Sequence, residues 1–189
     1  MNILIIGFGK IGKIRYQILK KNRLVKKIYI YDPAHKKLKD LLFISNLNKI
    51  DKLMITASFI CSPTYLSTKY CSLLIKKNIH VFCEKPPSTN IKDLLALKKI
   101  KDKNKKINLM YGFNHRHHES IKKILKIIAS KKYGKILWIR GRYGKPIDDN
   151  YLQGWRGDLE KSGGGILIDQ GIHLLDLMIL FLGKFKIIK

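Results

Sequence analysis

Acidic residues are scarce in this chain: 13 Asp and Glu stand against 39 Lys and Arg in 189 residues, a formal net charge of +26. A field of that sign gathers polyanions whatever the fold, so non-specific nucleic-acid binding at low salt is expected. A dedicated nucleic-acid interface is not. The lysines are scattered through every segment, arginines are few, and no stretch interleaves aromatic with basic residues as a base-stacking platform does. Cysteine is scarce too: Cys61, Cys71 and Cys83 lack CxxC spacing and read as buried thiols. With an N-terminal apolar run that is short and has no basic flank, they argue for a reducing, cytoplasmic location. Long apolar runs are missing: the most apolar segment, 172–182, is short and contains His173 and Asp176, so no membrane span is expected. Repeats and low-complexity linkers are absent.

What is present is an alternation of strand and helix patterns. Residues 3–6 form an apolar run that reads as a buried parallel strand, followed by a helical stripe of Ile11, Ile14, Ile18 and Leu19. A strand over 28–31, a helix around 36–43 and a strand over 59–61 are expected next. A helix bearing Leu66, Tyr70, Leu73 and Leu74, a strand over 80–83, a helix around 91–101 and a strand over 108–111 follow. A helix with Ile121, Ile124, Leu125 and Ile128 on one face comes after them. Right-handed crossovers between such strands give a doubly wound parallel sheet. Beyond Gly134 the pattern changes to an alternating strand over 135–143, a polar loop and a last helix over 165–182, as at the start of a second domain.

The first strand runs into GFGKIG, with Gly7, Gly9 and Gly12 between strand and helix. Gly7 permits a tight turn, Gly9 lets backbone amides approach a pyrophosphate, and Gly12 lets the helix pack close on the strand. Phe8, Lys10 and Ile11 share this loop and are cofactor-binding candidates with the glycines. Asp32 lies 20 residues beyond Gly12, at the end of the second strand. A carboxylate there accepts hydrogen bonds from ribose hydroxyls and repels a 2′-phosphate, which favours NAD and leaves NADP open. The alternative is that Asp32 only caps a helix starting near Pro33.

The loops after the strands ending at Cys61 and Cys83 are expected to open at the carboxyl edge of the sheet, where such folds bind ligands. Ser62, Pro63 and Thr64 are candidates to line the dinucleotide, and Glu84, Lys85 and Pro86 place an ammonium beside the nicotinamide end. Adjacent His115, His117 and His118 invite a metal reading. They read instead as an exposed polar helix start, since no carboxylate or cysteine completes a tetrahedral site, and no metal is expected.

At this point the chain resembles the Gfo/Idh/MocA oxidoreductases. The resemblance is carried by GFGKIG, Asp32, CSPT, KKNIHVFCEKPPS, GFNHR and GWRGDLEKSGGG, and by GGGILIDQGIHLLD. It implies a Rossmann-type NAD(P)-binding domain, residues 1–115, and a partial α/β substrate and oligomerisation domain, residues 116–189. It also implies hydride transfer between nicotinamide and a sugar, polyol or sugar-derivative hydroxyl or carbonyl, and a cis bond between Lys85 and Pro86. By the same resemblance, Lys85, Asp169 and His173 are catalytic. The last two, four residues apart on a helix, share a face, and imidazole suits removal of a hydroxyl proton. Asp169 would orient that imidazole or the substrate hydroxyl, and Lys85 would hydrogen-bond the reacting oxygen. Arg116, Trp155 and Arg156 are substrate-binding candidates, and Ser67 departs from a histidine frequent near that point. Family members are much longer, and most of their substrate-domain sheet is not found here. A fragment, half of a split enzyme completed by a C-terminal chain, a homo-oligomer and a non-catalytic dinucleotide-binding module therefore stay open.

Overall fold

The computed structural model describes residues 1–34, 41–144, 146, 151 and 153–184. They fall into two compact units, residues 1–112 with 160–163, and residues 113–159 with 164–189.

The first unit is a six-stranded parallel sheet. Its strands are β1 (Asn2–Ile6), β2 (Lys27–Tyr31), β3 (Leu42–Phe43), β4 (Ile55–Ile60), β5 (His80–Cys83) and β6 (Leu109–Tyr111). The spatial order is β3-β2-β1-β4-β5-β6. The chain therefore reverses its direction of travel across the sheet between β1 and β4, and such a reversal opens a ligand crevice at the carboxyl ends of the strands. The helices are α1 (Lys10–Lys20), α2 (Thr64–Lys76) and α3 (Ile91–Lys103).

Strand β1 is apolar without alternation because both its faces are covered. Ile3 and Ile5 join Phe8, Leu19, Ile28 and Ile30 in one core. Leu4 and Ile6 join Ile60, Cys71, Leu74, Ile75 and Val81 in the other. Side chains alternate along a strand, so a continuous apolar run is what a doubly covered central strand requires. Helix α3 starts where Asn90 caps it: its side chain accepts from the Asp93 amide at 2.9 Å and donates to the Asp93 carboxylate at 2.8 Å.

Three expectations need correction here. The fourth strand spans Ile55–Ile60, starting four residues before the expected 59–61. The helix expected around 36–43 falls largely outside the described residues, and its end is strand β3, with Leu42 and Phe43 paired to Tyr29 and Ile30. The strand expected over 135–143 has no ladder partner among the described residues. Its alternation is real, but a strand exists only where a neighbour accepts its hydrogen bonds.

In the second unit the 3₁₀ segment Asn114–His117 leads into α4 (Glu119–Ser130). The last helix is continuous over 165–182, a π-helical stretch Leu167–Gly171 running into α5 (Ile172–Leu182). By length and composition, Leu159–Leu182 is apolar enough to cross a membrane, with a mean hydropathy of 1.7, against the expectation that no segment would be. The helix is interrupted within it: Gly163 and Gly164 sit at φ 84 and 145, where L side chains are strained. Most of its side chains are not buried, and those that are include the polar Asp169, Gln170, His173 and Asp176.

Candidate functional site

In the first unit the glycine loop is shaped by close approach. Gly7 has φ 89, and a Cβ there would lie 2.7 Å from the Cys61 carbonyl carbon and the Ser62 nitrogen. The loops after β1 and β4 thus touch through their backbones. A Cβ on Gly12 would collide with the Gly7 carbonyl oxygen, which fixes how tightly α1 seats on the loop. Gly9 differs: its Cβ would meet nothing within 4 Å, so its lack of a side chain keeps open a space that the protein does not fill. Phe8 packs inward, 3% exposed, edge-on to Tyr16 and Phe43.

Asp32 ties this loop to the second strand. One carboxylate oxygen accepts from the Phe8 amide at 2.6 Å and the other from the Ala34 amide at 2.8 Å. A carboxylate at the end of β2 is the group that accepts from ribose hydroxyls in such folds. The Ala34 bond is the capping-type contact of the alternative reading, and it coexists with the loop contact. Beyond β4, Thr64 is 3% exposed, and the buried Ser62 hydroxyl has no hydrogen-bond partner among the described residues. An open cradle at Gly9, a carboxylate at the end of β2 and an unsatisfied hydroxyl at Ser62 are what a dinucleotide pyrophosphate and ribose would engage.

The loop after β5 begins with Glu84, whose amide donates to the Ile60 carbonyl at 2.9 Å. Its carboxylate takes Arg15 of α1 at 3.0 Å from Nε and 2.5 Å from Nη2. The Arg15 guanidinium also lies 4.7 Å from the centroid of the Phe82 ring. Lys85 follows, half-buried, joined to Pro86 by a cis peptide bond. Burial pushes the neighbouring Cys61 thiol up to about 12, with Glu84 adding to the shift and Arg15 opposing it.

In the second unit the last helix buries polar residues and exposes apolar ones. Asp169, Gln170, His173 and Asp176 are 6%, 7%, 5% and 8% exposed, whereas Leu167 and Ile179 are 62% and 46% exposed. Buried polar groups cost free energy unless partnered, and here the partners are explicit. Asp169 accepts from the Tyr151 hydroxyl at 2.9 Å and the Gln170 amide at 2.8 Å, with Arg156 Nε at 3.7 Å. Burial pushes the Tyr151 hydroxyl up to about 12, the Asp169 hydrogen bond and charge add to the shift, and Arg156 opposes it. Arg156 stacks on Trp155, 4.4 Å from guanidinium carbon to ring centroid. Arg116 binds Asp176 through two bonds, 2.7 and 2.5 Å, which hold its guanidinium above the usual value.

His173 lies in a ring cluster. The imidazole of His115 stacks on it at 4.1 Å between centroids and 16° between planes. Phe113 meets His173 edge-on at 6.2 Å. His115 is thus half-buried against the helix, where an exposed helix start was expected. Among the described residues no three His, Cys, Asp or Glu side chains are grouped so as to hold a metal ion.

Each unit therefore gathers its own candidates: Gly7, Gly9, Gly12, Asp32, Ser62, Pro63, Thr64, Glu84 and Lys85 in the first, Arg116, Trp155, Arg156, Asp169 and His173 in the second. Sequence reasoning missed Arg15, Tyr151 and Asp176, whose partners are 69, 18 and 60 residues away. No local spacing signals such pairs. The role of His115 was hidden by its place in a run of histidines.

A glycine loop seated at the β1/β4 reversal of a parallel sheet, with an acid at the end of β2, defines a dinucleotide-binding Rossmann domain. Residues 1–113 match the family model described as the oxidoreductase family with an NAD-binding Rossmann fold, and residues 121–188 match the GFO/IDH/MocA C-terminal domain. The chain belongs to the Gfo/Idh/MocA family. It is 27% identical over 197 residues to the myo-inositol 2-dehydrogenase of Thermotoga maritima, covering 97% of this chain and 55% of that protein. It is 29% identical over 126 residues to the D-glucoside 3-dehydrogenase of Escherichia coli, covering 66% of this chain and 35% of that protein. Among solved structures, the myo-inositol 2-dehydrogenase of Lactobacillus plantarum superposes with a TM-score of 0.83 at 26% identity, over 97% of this chain and 56% of that one. The chain spans about half the length of the first of these relatives.

Proposed function

We propose that this chain carries the cofactor domain and the catalytic helix of an NAD-dependent oxidoreductase that moves hydride between nicotinamide and a hydroxyl or carbonyl carbon of a polyol, sugar or sugar derivative. The observation that carries this reading is the inward polar face of the last helix, where Asp169 and His173 are buried in a segment that is otherwise strongly apolar. A buried carboxylate and imidazole on one helix, within a family of NAD-binding oxidoreductases, fit proton transfer coupled to hydride loss. In this reading His173 removes the hydroxyl proton and Asp169 orients the reacting groups. Lys85 stabilises charge developing on the oxygen, and Arg116, Trp155 and Arg156 serve substrate recognition. Bound NAD supplies the hydride acceptor. The substrate class is supported by relatives named for an inositol and a glucoside. A cytoplasmic location and assembly with a second copy or a complementing chain belong to the same reading.

The test is oxidation of myo-inositol, glucose and glucosides, followed as NADH absorbance, in the unmodified chain and in His173→Ala. The variant is expected to lose turnover and to keep NADH binding. NADH binding without turnover in the unmodified chain, alone or with added candidate partner chains, would make this a dinucleotide-binding module.

A further inference from the structure

The inward face of the last helix holds one relationship that hydride transfer does not itself require: the stack of His115 on His173. The rings lie 4.1 Å apart and within 16° of parallel, and His173 is 5% exposed. Further rings surround the pair. Phe113 stands edge-on to His173, Tyr143 lies 5.5 Å from His115 and 6.4 Å from His173, and His118 lies 5.3 Å from His115. His115 comes from the 3₁₀ segment Asn114–His117, whose next residue, Arg116, is anchored to Asp176 one helical turn beyond His173. The stack is therefore braced from both elements.

We propose that His115 is a positioning residue for His173: it fixes the plane of that imidazole, and the two stacked rings take up protons as a coupled pair. The proposal rests on His173 being the base of the reaction above. Two imidazolium rings at this separation repel, so a proton on one ring opposes a proton on the other. Their titration then belongs to the pair, in two separated steps. Charged and titratable groups lie on both sides of the pair. Asp169 and Asp176 lie on the helix of His173, the first engaged with Tyr151, Gln170 and Arg156 and the second with Arg116. His118 and Tyr143 lie on the side of His115. Single-ring replacement removes one imidazole and leaves the residues named above unchanged in sequence.

The experiment is a carbon-proton correlation titration of the six histidines in the full chain, with resonances assigned by single substitution. In the unmodified protein the His115 and His173 rings are expected to titrate in two steps about one pH unit or more apart. His115→Phe keeps an aromatic ring and removes the competing proton, so His173 should titrate in one step with its midpoint raised by about one unit. His115→Gln should raise the midpoint as well, which keeps the test open if one variant folds poorly. His117→Gln should leave both steps where they are. A His173 midpoint that is unmoved in a folded His115 variant, or independent single steps in the unmodified chain, would overturn the proposal. Coupled titration in a chain without turnover would retain the pair and remove the catalytic reading, so the two failures are distinguishable.

Discussion

Arg15 on α1 and Glu84 at the end of β5 are joined by two hydrogen bonds to one carboxylate oxygen, 69 residues apart in sequence. The other oxygen faces Gly112, where a Cβ would lie 2.7 Å away. The helix that follows the glycine loop is thereby linked to the residue preceding Lys85.

Both partners are mostly shielded, with side-chain exposures of 26% and 19%. Removing one leaves the other charge poorly solvated. Arg15→Leu should therefore destabilise the first unit by about 1–3 kcal/mol, a magnitude between those of exposed and buried ion pairs. Urea denaturation checks it, and Glu84→Gln should cost less because the amide still accepts from Arg15.

Gly9 and Gly12 should separate cofactor binding from folding. Gly9→Ala meets open space, so its urea midpoint should stay near that of the parent while NADH affinity falls by about tenfold or more, since the new methyl enters the pyrophosphate cradle. Gly12→Ala drives a methyl into the Gly7 carbonyl and should cost about 1–3 kcal/mol of stability as well. Fluorescence titration with NADH alongside denaturation distinguishes them.

Asp32 should set the choice of dinucleotide. Replacing it with alanine removes the ribose acceptor and the repulsion toward a 2′-phosphate, so the ratio of NADH to NADPH affinity should fall. The Phe8 amide loses its partner too, and a small loss of stability is expected. An unchanged ratio would remove Asp32 from cofactor selection.

Stability should fall in alkali. The Cys61 thiol is held up to about 12 in the folded protein by burial, whereas in the unfolded chain it titrates near 8.5. Above that value the unfolded state loses a proton that the folded state keeps, so stability is fully present below about pH 8.5 and is lost as pH rises toward 12. From pH 8.5 to 10.5 the loss from this one group approaches about 2–3 kcal/mol. Cys83, raised by its contact with Cys71 and by burial, acts in the same direction. Urea midpoints across this range should decline, and less steeply in Cys61→Ala.

The sequence by itself determined the parts of this protein whose physics is local. The unbroken run of 3–6 reads as a strand covered on both faces, as it is, and Gly7 and Gly12 mark a turn where a side chain would clash, while Gly9 keeps open the space in front of it. The four-residue spacing of Asp169 and His173 put both on one helix face, and the fold buried that face. Tertiary structure decided what depends on a partner far along the chain. Residues 135–143 alternate as a strand does yet have no ladder partner among the described residues, and residues 42–43 became strand because β2 offered an edge. Arg15 found Glu84, Tyr151 found Asp169 and His115 found the face of His173 only after the chain had brought them together. Periodicity records which way a residue points, but an ion pair, a hydrogen bond or a ring stack depends on distance, and distance between remote residues is set by the fold.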